Sequence, residues 1–135
     1  MLIKKTIVAG LFSLFFFSVL GLQVEAKTDC SDDSRYGEIE KSELQAKIKD
    51  GKVSLIDVND EETFAKNKIG NAINYYEKKN DLAWVLPKDK SALVVAYCGS
   101  TRCTAWKKAA KAACEMGYTN VKHFKPGIKG WMASS

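Results

Sequence analysis

The sequence predicts an α/β domain, a central and mainly parallel sheet covered by helices on both faces. Three observations lead there. Apolar, β-forming runs at 53–58, 93–97 and 121–124 read as buried strands. Helical segments separate them, and strands alternating with helices favour parallel pairing in three layers. Asp57 and Cys98 stand at the carboxyl ends of two of these runs, where open sheets of this kind bind ligands.

The chain begins outside that fold. Lys4 and Lys5 precede an apolar run from 7 to 22, and Val24-Glu25-Ala26 puts small residues at −3 and −1 of a cut after Ala26. Residues 1–26 therefore read as a secretory signal peptide, without a stop-transfer segment or lipid-anchor cysteine after it. Residues 27–36 are polar, with Asp29, Asp32, Asp33 and Arg35, and read as a tail or a loosely held lead-in. Residues 37–135 form one domain of ordinary size.

Within that domain, apolar spacing from Ile39 to Lys49 predicts a short surface helix starting near Ser42 and closed by Asp50-Gly51. The strand at 53–58 comes next, then a helix at 61–67 and a turn into a short strand near Ile73. The stretch 75–86 reads as helix or extended loop, with Trp84 and Leu86 as core contacts. Pro87-Lys88-Asp89-Lys90 is a turn, 93–97 the central strand and 104–116 the long Ala/Lys-rich helix. Gly117 ends that helix at the position where glycine is favoured. The strand at 121–124 and a helical stub at 126–131 complete the chain.

Removing two lysines and one glutamate with the leader takes the net charge from +5 to +4. The lysines are dispersed, which describes a solvated surface and argues against nucleic acid as a partner. One histidine and scattered cysteines give no metal-ligand spacing, so no metal or other cofactor is expected. Four cysteines in an exported chain allow three pairings into two disulfides, among which the sequence does not choose. Cys30 either ties down the lead-in or is free. Cys114, among helix alanines, reads first as a small core residue, with a bond to Cys30 as the competitor.

The chemistry concentrates in Cys98-Gly99-Ser100-Thr101-Arg102-Cys103-Thr104. A strand ending in cysteine, a short Gly/Ser/Thr loop and a helix start aim N–H groups at one place. That arrangement favours an anion and lowers a thiol pKa, which makes Cys98 the candidate nucleophile. Gly99 allows the tight bend, Ser100, Thr101 and Thr104 add hydroxyl donors, and Arg102 is the nearest fixed positive charge. Cys103 resolves a species on Cys98, pairs with it as a disulfide, or fills the loop; five positions apart, the two are close enough to meet. Asp57 reads as a support for the loop or nearby backbone. His123 and the three tryptophans read as structural, with Trp106 also placed to line the mouth of a pocket.

Three separated segments resemble the rhodanese-like family of single-domain sulfurtransferases. Leu55-Ile56-Asp57-Val58-Asn59, with Glu62, Phe64 and Ile69-Gly70-Asn71-Ala72-Ile73-Asn74, is similar to the family's L-I-D-V-R, E-F and G-H-I-P-G-A-I-N signature. Val94-Val95-Ala96-Tyr97-Cys98 resembles its active-site strand and cysteine. Gly117-Tyr118-Thr119-Asn120-Val121 and Gly127-Ile128-Lys129-Gly130-Trp131 resemble its closing segments. The departures lie in the loop. Cys103 stands where the family keeps an arginine, giving a Cys-x4-Cys variant, and Asn59 replaces the signature arginine.

The resemblance implies a rhodanese-like fold and a sulfurtransferase, and the signal peptide makes it a periplasmic or secreted one. Cys98 would take sulfane sulfur from a small anion such as thiosulfate or a polysulfide, hold it as a persulfide and pass it to a thiol or other nucleophile, on a small molecule or a protein. The alternative is a non-catalytic binding or redox module locked by a Cys98–Cys103 disulfide. A phosphatase or arsenate reductase, also built on a Cys-headed anion loop, is disfavoured because the loop lacks the arginine that clamps a tetrahedral dianion.

Overall fold

A computed structural model of the chain describes residues 27–134, together with Gly10 and Gly21. Apart from those two glycines, the predicted signal peptide lies outside the described residues. Among the described residues, no helix is long and apolar enough to cross a membrane.

Five strands form one parallel sheet: β1 (Gly37–Glu38), β2 (Ser54–Asp57), β3 (Ile73–Asn74), β4 (Val94–Tyr97) and β5 (Val121–His123). Their spatial order is β1-β5-β4-β2-β3, which puts β4 at the centre. In register, Asp57 pairs with Tyr97 across β2 and β4, and Ala96 pairs with His123 across β4 and β5. Among the described residues, five α-helices connect the strands, α1 (Lys41–Lys49), α2 (Glu61–Lys66), α3 (Tyr75–Lys78), α4 (Leu82–Val85) and α5 (Trp106–Glu115), and α6 (Gly127–Met132) follows the last strand.

The side-chain alternation of β4 divides the core in two. Val94, Ala96 and Cys98 join Ile56, Leu82, Leu86, Trp106 and the alanine face of α5 on one side. Val95 and Tyr97 join Leu44, Ile69, Phe124 and Ile128 on the other. With both faces covered, every residue of β4 is buried, and each of its two valines contributes about 1.5–3 kcal/mol. Ala109, Ala110 and Ala113 are fully buried, and their small size lets α5 lie close on the sheet.

Local chemistry sets the element ends. Asp60 caps α2 by accepting from the Thr63 N–H at 2.8 Å. Gly51 (φ 66°) follows α1 and Gly117 (φ 95°) follows α5, both in the left-handed conformation that glycine adopts without strain.

Three sequence expectations are corrected. The lead-in is not loose: Cys30 is disulfide-bonded to Cys114, and the Tyr36 hydroxyl donates to the Cys30 carbonyl at 2.6 Å. Cys114 is thus a buried core residue that also carries the bond named as its competitor, a covalent anchor to Cys30. Trp84 is 88% exposed, because the single turn of α4 turns Leu82 inward and Leu86 follows it, leaving Trp84 on the outer side. Helix α1 begins at Lys41, one residue from the expected start near Ser42, with Glu40 as its cap residue.

Candidate active site

Cys98 leaves the carboxyl end of the central strand and is only 1% exposed. Its sulfur is bonded to Cys103, with the two Cα atoms 6.2 Å apart. The loop between them turns tightly: the Cys103 N–H donates to the Ser100 carbonyl at 3.1 Å, and the Arg102 N–H reaches the Ser100 hydroxyl at 3.4 Å. The amides of Gly99, Ser100, Thr101, Thr104 and Ala105 donate to no acceptor among the described residues. These amides follow Cys98 closely in the chain and end at the start of α5, where peptide dipoles favour an anion.

The loop is held from two sides. On one, the first turn of α6 donates from Ile128 N–H to the Cys98 carbonyl and from Lys129 N–H to the Gly99 carbonyl, both at 2.9 Å. Gly127, at φ 64°, makes this approach possible, since a Cβ there would stand 2.6 Å from the Cys98 carbonyl oxygen. On the other side lies a buried polar strut. Asp57 Oδ1 accepts from both the Asn59 N–H and Asn59 Nδ2, each at 2.8 Å, and Asn74 Nδ2 donates to the Asn59 carbonyl at 2.9 Å. Asn59 Oδ1 in turn abuts Gly99, 3.4 Å from where a Cβ would stand.

Burial dominates the ionisation of this region. Asp57 is fully buried and its Oδ2 has no partner, so desolvation pushes its carboxyl above the ordinary range while the bonds from Asn59 oppose that rise. Tyr97 is raised for the same reason, and its hydroxyl accepts from the Ile69 N–H at 2.9 Å. His123 is stacked on Trp106 with ring centroids 3.7 Å apart, and burial lowers its pKa to about 4. Both rings are buried in the core, so Trp106 serves packing here.

Beside the loop, Ser100, Thr101, Arg102, Pro126, Lys129 and Gly130 line an open cleft of ≈ 590 Å³. Arg102 and Lys129 are exposed and paired with no carboxylate among the described residues, which makes the mouth of the cleft positive. Thr104 lies on the surface past Cys103. The structure thus groups Cys98, Gly99, Ser100, Thr101, Arg102, Cys103 and Thr104 into one loop and sets Asp57 behind it through Asn59. Sequence reasoning assigned no site role to Asn59, Gly127, Ile128 or Lys129. The Gly127-Ile128-Lys129-Gly130 run was visible, but nothing in it announces that the next helix start grips the cysteine loop.

Comparisons with known proteins agree with this architecture. Residues 40–134 match the rhodanese-like domain family. No curated protein matches the sequence. Among solved structures, the chain is similar to the human single-domain sulfurtransferase TSTD1, with a TM-score of 0.59, 18% identity and coverage of 73% of this chain and 96% of that one. It is similar to the single-domain sulfurtransferase RDL2 of Saccharomyces cerevisiae, at TM-score 0.56 and 17% identity, covering 72% and 89%. A rhodanese-like domain protein from Staphylococcus aureus gives 0.55 and 19%, covering 73% and 94%. At such identities these neighbours establish the fold; the match over residues 40–134 establishes the lineage, and this chain belongs to the rhodanese-like domain family.

Proposed function

We propose that the protein is a sulfurtransferase that carries sulfane sulfur as a persulfide on Cys98. One observation carries this reading: Cys98 ends the central strand at the base of a loop with five unclaimed amide donors. Family membership, and sulfurtransferases among the structural neighbours, support it.

The reduced Cys98 thiolate attacks the outer sulfur of thiosulfate or a polysulfide. The donor's S–S bond breaks, its electron pair leaves with sulfite or the shortened polysulfide, and Cys98 keeps the transferred sulfur as a persulfide. An acceptor thiolate, on a small molecule or a protein, then attacks that outer sulfur, and the Cys98 thiolate is the leaving group. Arg102 and Lys129 attract the anionic donor to the cleft. The apolar leader supports work in a periplasm or outside the cell, where oxidation to the Cys98–Cys103 disulfide competes with sulfur loading.

A second reading is favoured by that disulfide, which occupies the sulfur the reaction needs: a binding or redox module without transferase activity. Thiocyanate formation from thiosulfate and cyanide separates the two. The transferase reading expects turnover by pre-reduced protein, none by the oxidised form and none by Cys98→Ser. Absence of turnover by reduced protein with both thiosulfate and polysulfide would overturn it in favour of the module.

A further inference from the structure

The two sulfurs of the loop disulfide are not equivalent. Cys98 is 1% exposed, belongs to the same buried cluster as Ile56, Val58 and Ala96, and its carbonyl is pinned by α6. Cys103 keeps part of its surface in solvent and is flanked by the exposed Arg102 and Thr104. We propose that external thiols exchange with this disulfide in one direction only: the incoming thiolate attacks Cys103, and Cys98 departs as the thiolate.

Thiol–disulfide exchange needs the attacker, the attacked sulfur and the leaving sulfur in line, and the leaving sulfur departs faster the better its anion is stabilised. Access selects Cys103 as the attacked atom. Because the two sulfurs share one bond, attack on Cys103 makes Cys98 the leaving group. The attack forms a mixed disulfide on Cys103 and breaks the Cys98–Cys103 bond, whose electron pair goes to Cys98. With a dithiol partner, its second thiolate attacks the partner's own sulfur in the mixed disulfide and releases Cys103. The partner is oxidised by two electrons, the loop is reduced, and the two protons of the dithiol pass to solvent or to the loop thiols. The unpaired Arg102 and Lys129 beside the loop fit a thiol partner that carries negative charge. Cys103 is therefore the residue that handles exchange, and Cys98 is delivered as a thiolate. The inference requires no sulfane donor and stands or falls separately from persulfide chemistry.

The test uses oxidised full-length protein without any sulfur donor. A brief pulse of 2-mercaptoethanesulfonate is stopped with excess N-ethylmaleimide in denaturant, and the peptides are mapped by mass. The expected product carries the probe on Cys103 and maleimide on Cys98, in about ten-fold or greater excess over the reverse arrangement. At matched thiolate concentration the anionic probe is expected to react several-fold faster than cysteamine, and Arg102→Ala to shrink that difference. Probe on Cys98, an even split, or no bond between the two cysteines would overturn the directional exchange. Equal rates for the two probes would overturn the preference for an anionic partner.

Discussion

At Gly127 the backbone adopts φ 64° within van der Waals reach of Cys98 and Gly99, so a single added methyl group meets the loop backbone. Gly127→Ala is expected to cost about 2–4 kcal/mol in urea denaturation, through a strained φ and a displaced loop, and to lower sulfur-transfer turnover with it. Asp57 presents the opposite case. It is buried with one oxygen satisfied by Asn59 and the other unpartnered. Burial raises its pKa, so the fold favours the neutral acid, and the stability this group contributes at low pH is lost as pH rises through the raised value. Asp57→Asn keeps the shape and the accepting oxygen without the charge. It is expected to be at least as stable as the wild type at neutral pH; a loss above about 1 kcal/mol in urea midpoints would show that the ionised carboxylate is required.

Among the elements, α5 and α6 have different tasks. Helix α5 seals the sheet through Ala109, Ala110 and Ala113, which have no spare room, so Ala113→Leu is expected to destabilise by about 1–3 kcal/mol in thermal or urea unfolding. Helix α6 is short, yet its first amides hold the Cys98 and Gly99 carbonyls. How legible each element was follows from where its stabilisation comes from. Strands β2, β4 and β5 and helix α5 were readable because buried side chains mark them. Strand β1 was not: Gly37 and Glu38 are exposed and join β5 through the backbone, which leaves no side-chain pattern. Trp84 misled because aromatic character stood in for position, whereas Leu82 and Leu86 decide which side of α4 faces inward.

For the whole molecule, the Cys30–Cys114 bond joins the lead-in to the end of α5 across a separation of 84 residues. Replacing both by serine is expected to cost about 2–5 kcal/mol in unfolding experiments while leaving Cys98 chemistry in place. His123 sets a pH dependence of its own. Its folded pKa, about 4, lies below the ordinary 6.5, so the unfolded chain binds the extra proton between those values and stability falls as pH drops through that window. Going from pH 7 to pH 5 is expected to cost on the order of 1–2 kcal/mol, a loss that His123→Phe should largely remove. The cysteine loop was legible because strand, loop and helix follow one another in the chain. The surfaces that brace it were not, because Asn59 and Gly127 reach the loop only through the fold. The central claim is that Cys98 accepts sulfur, and intact mass tests it most directly. Reduced protein incubated with thiosulfate or polysulfide is expected to gain one sulfur, retained in Cys30→Ser/Cys114→Ser and lost in Cys98→Ser. No gain with either donor, or a gain that persists in Cys98→Ser, would contradict it.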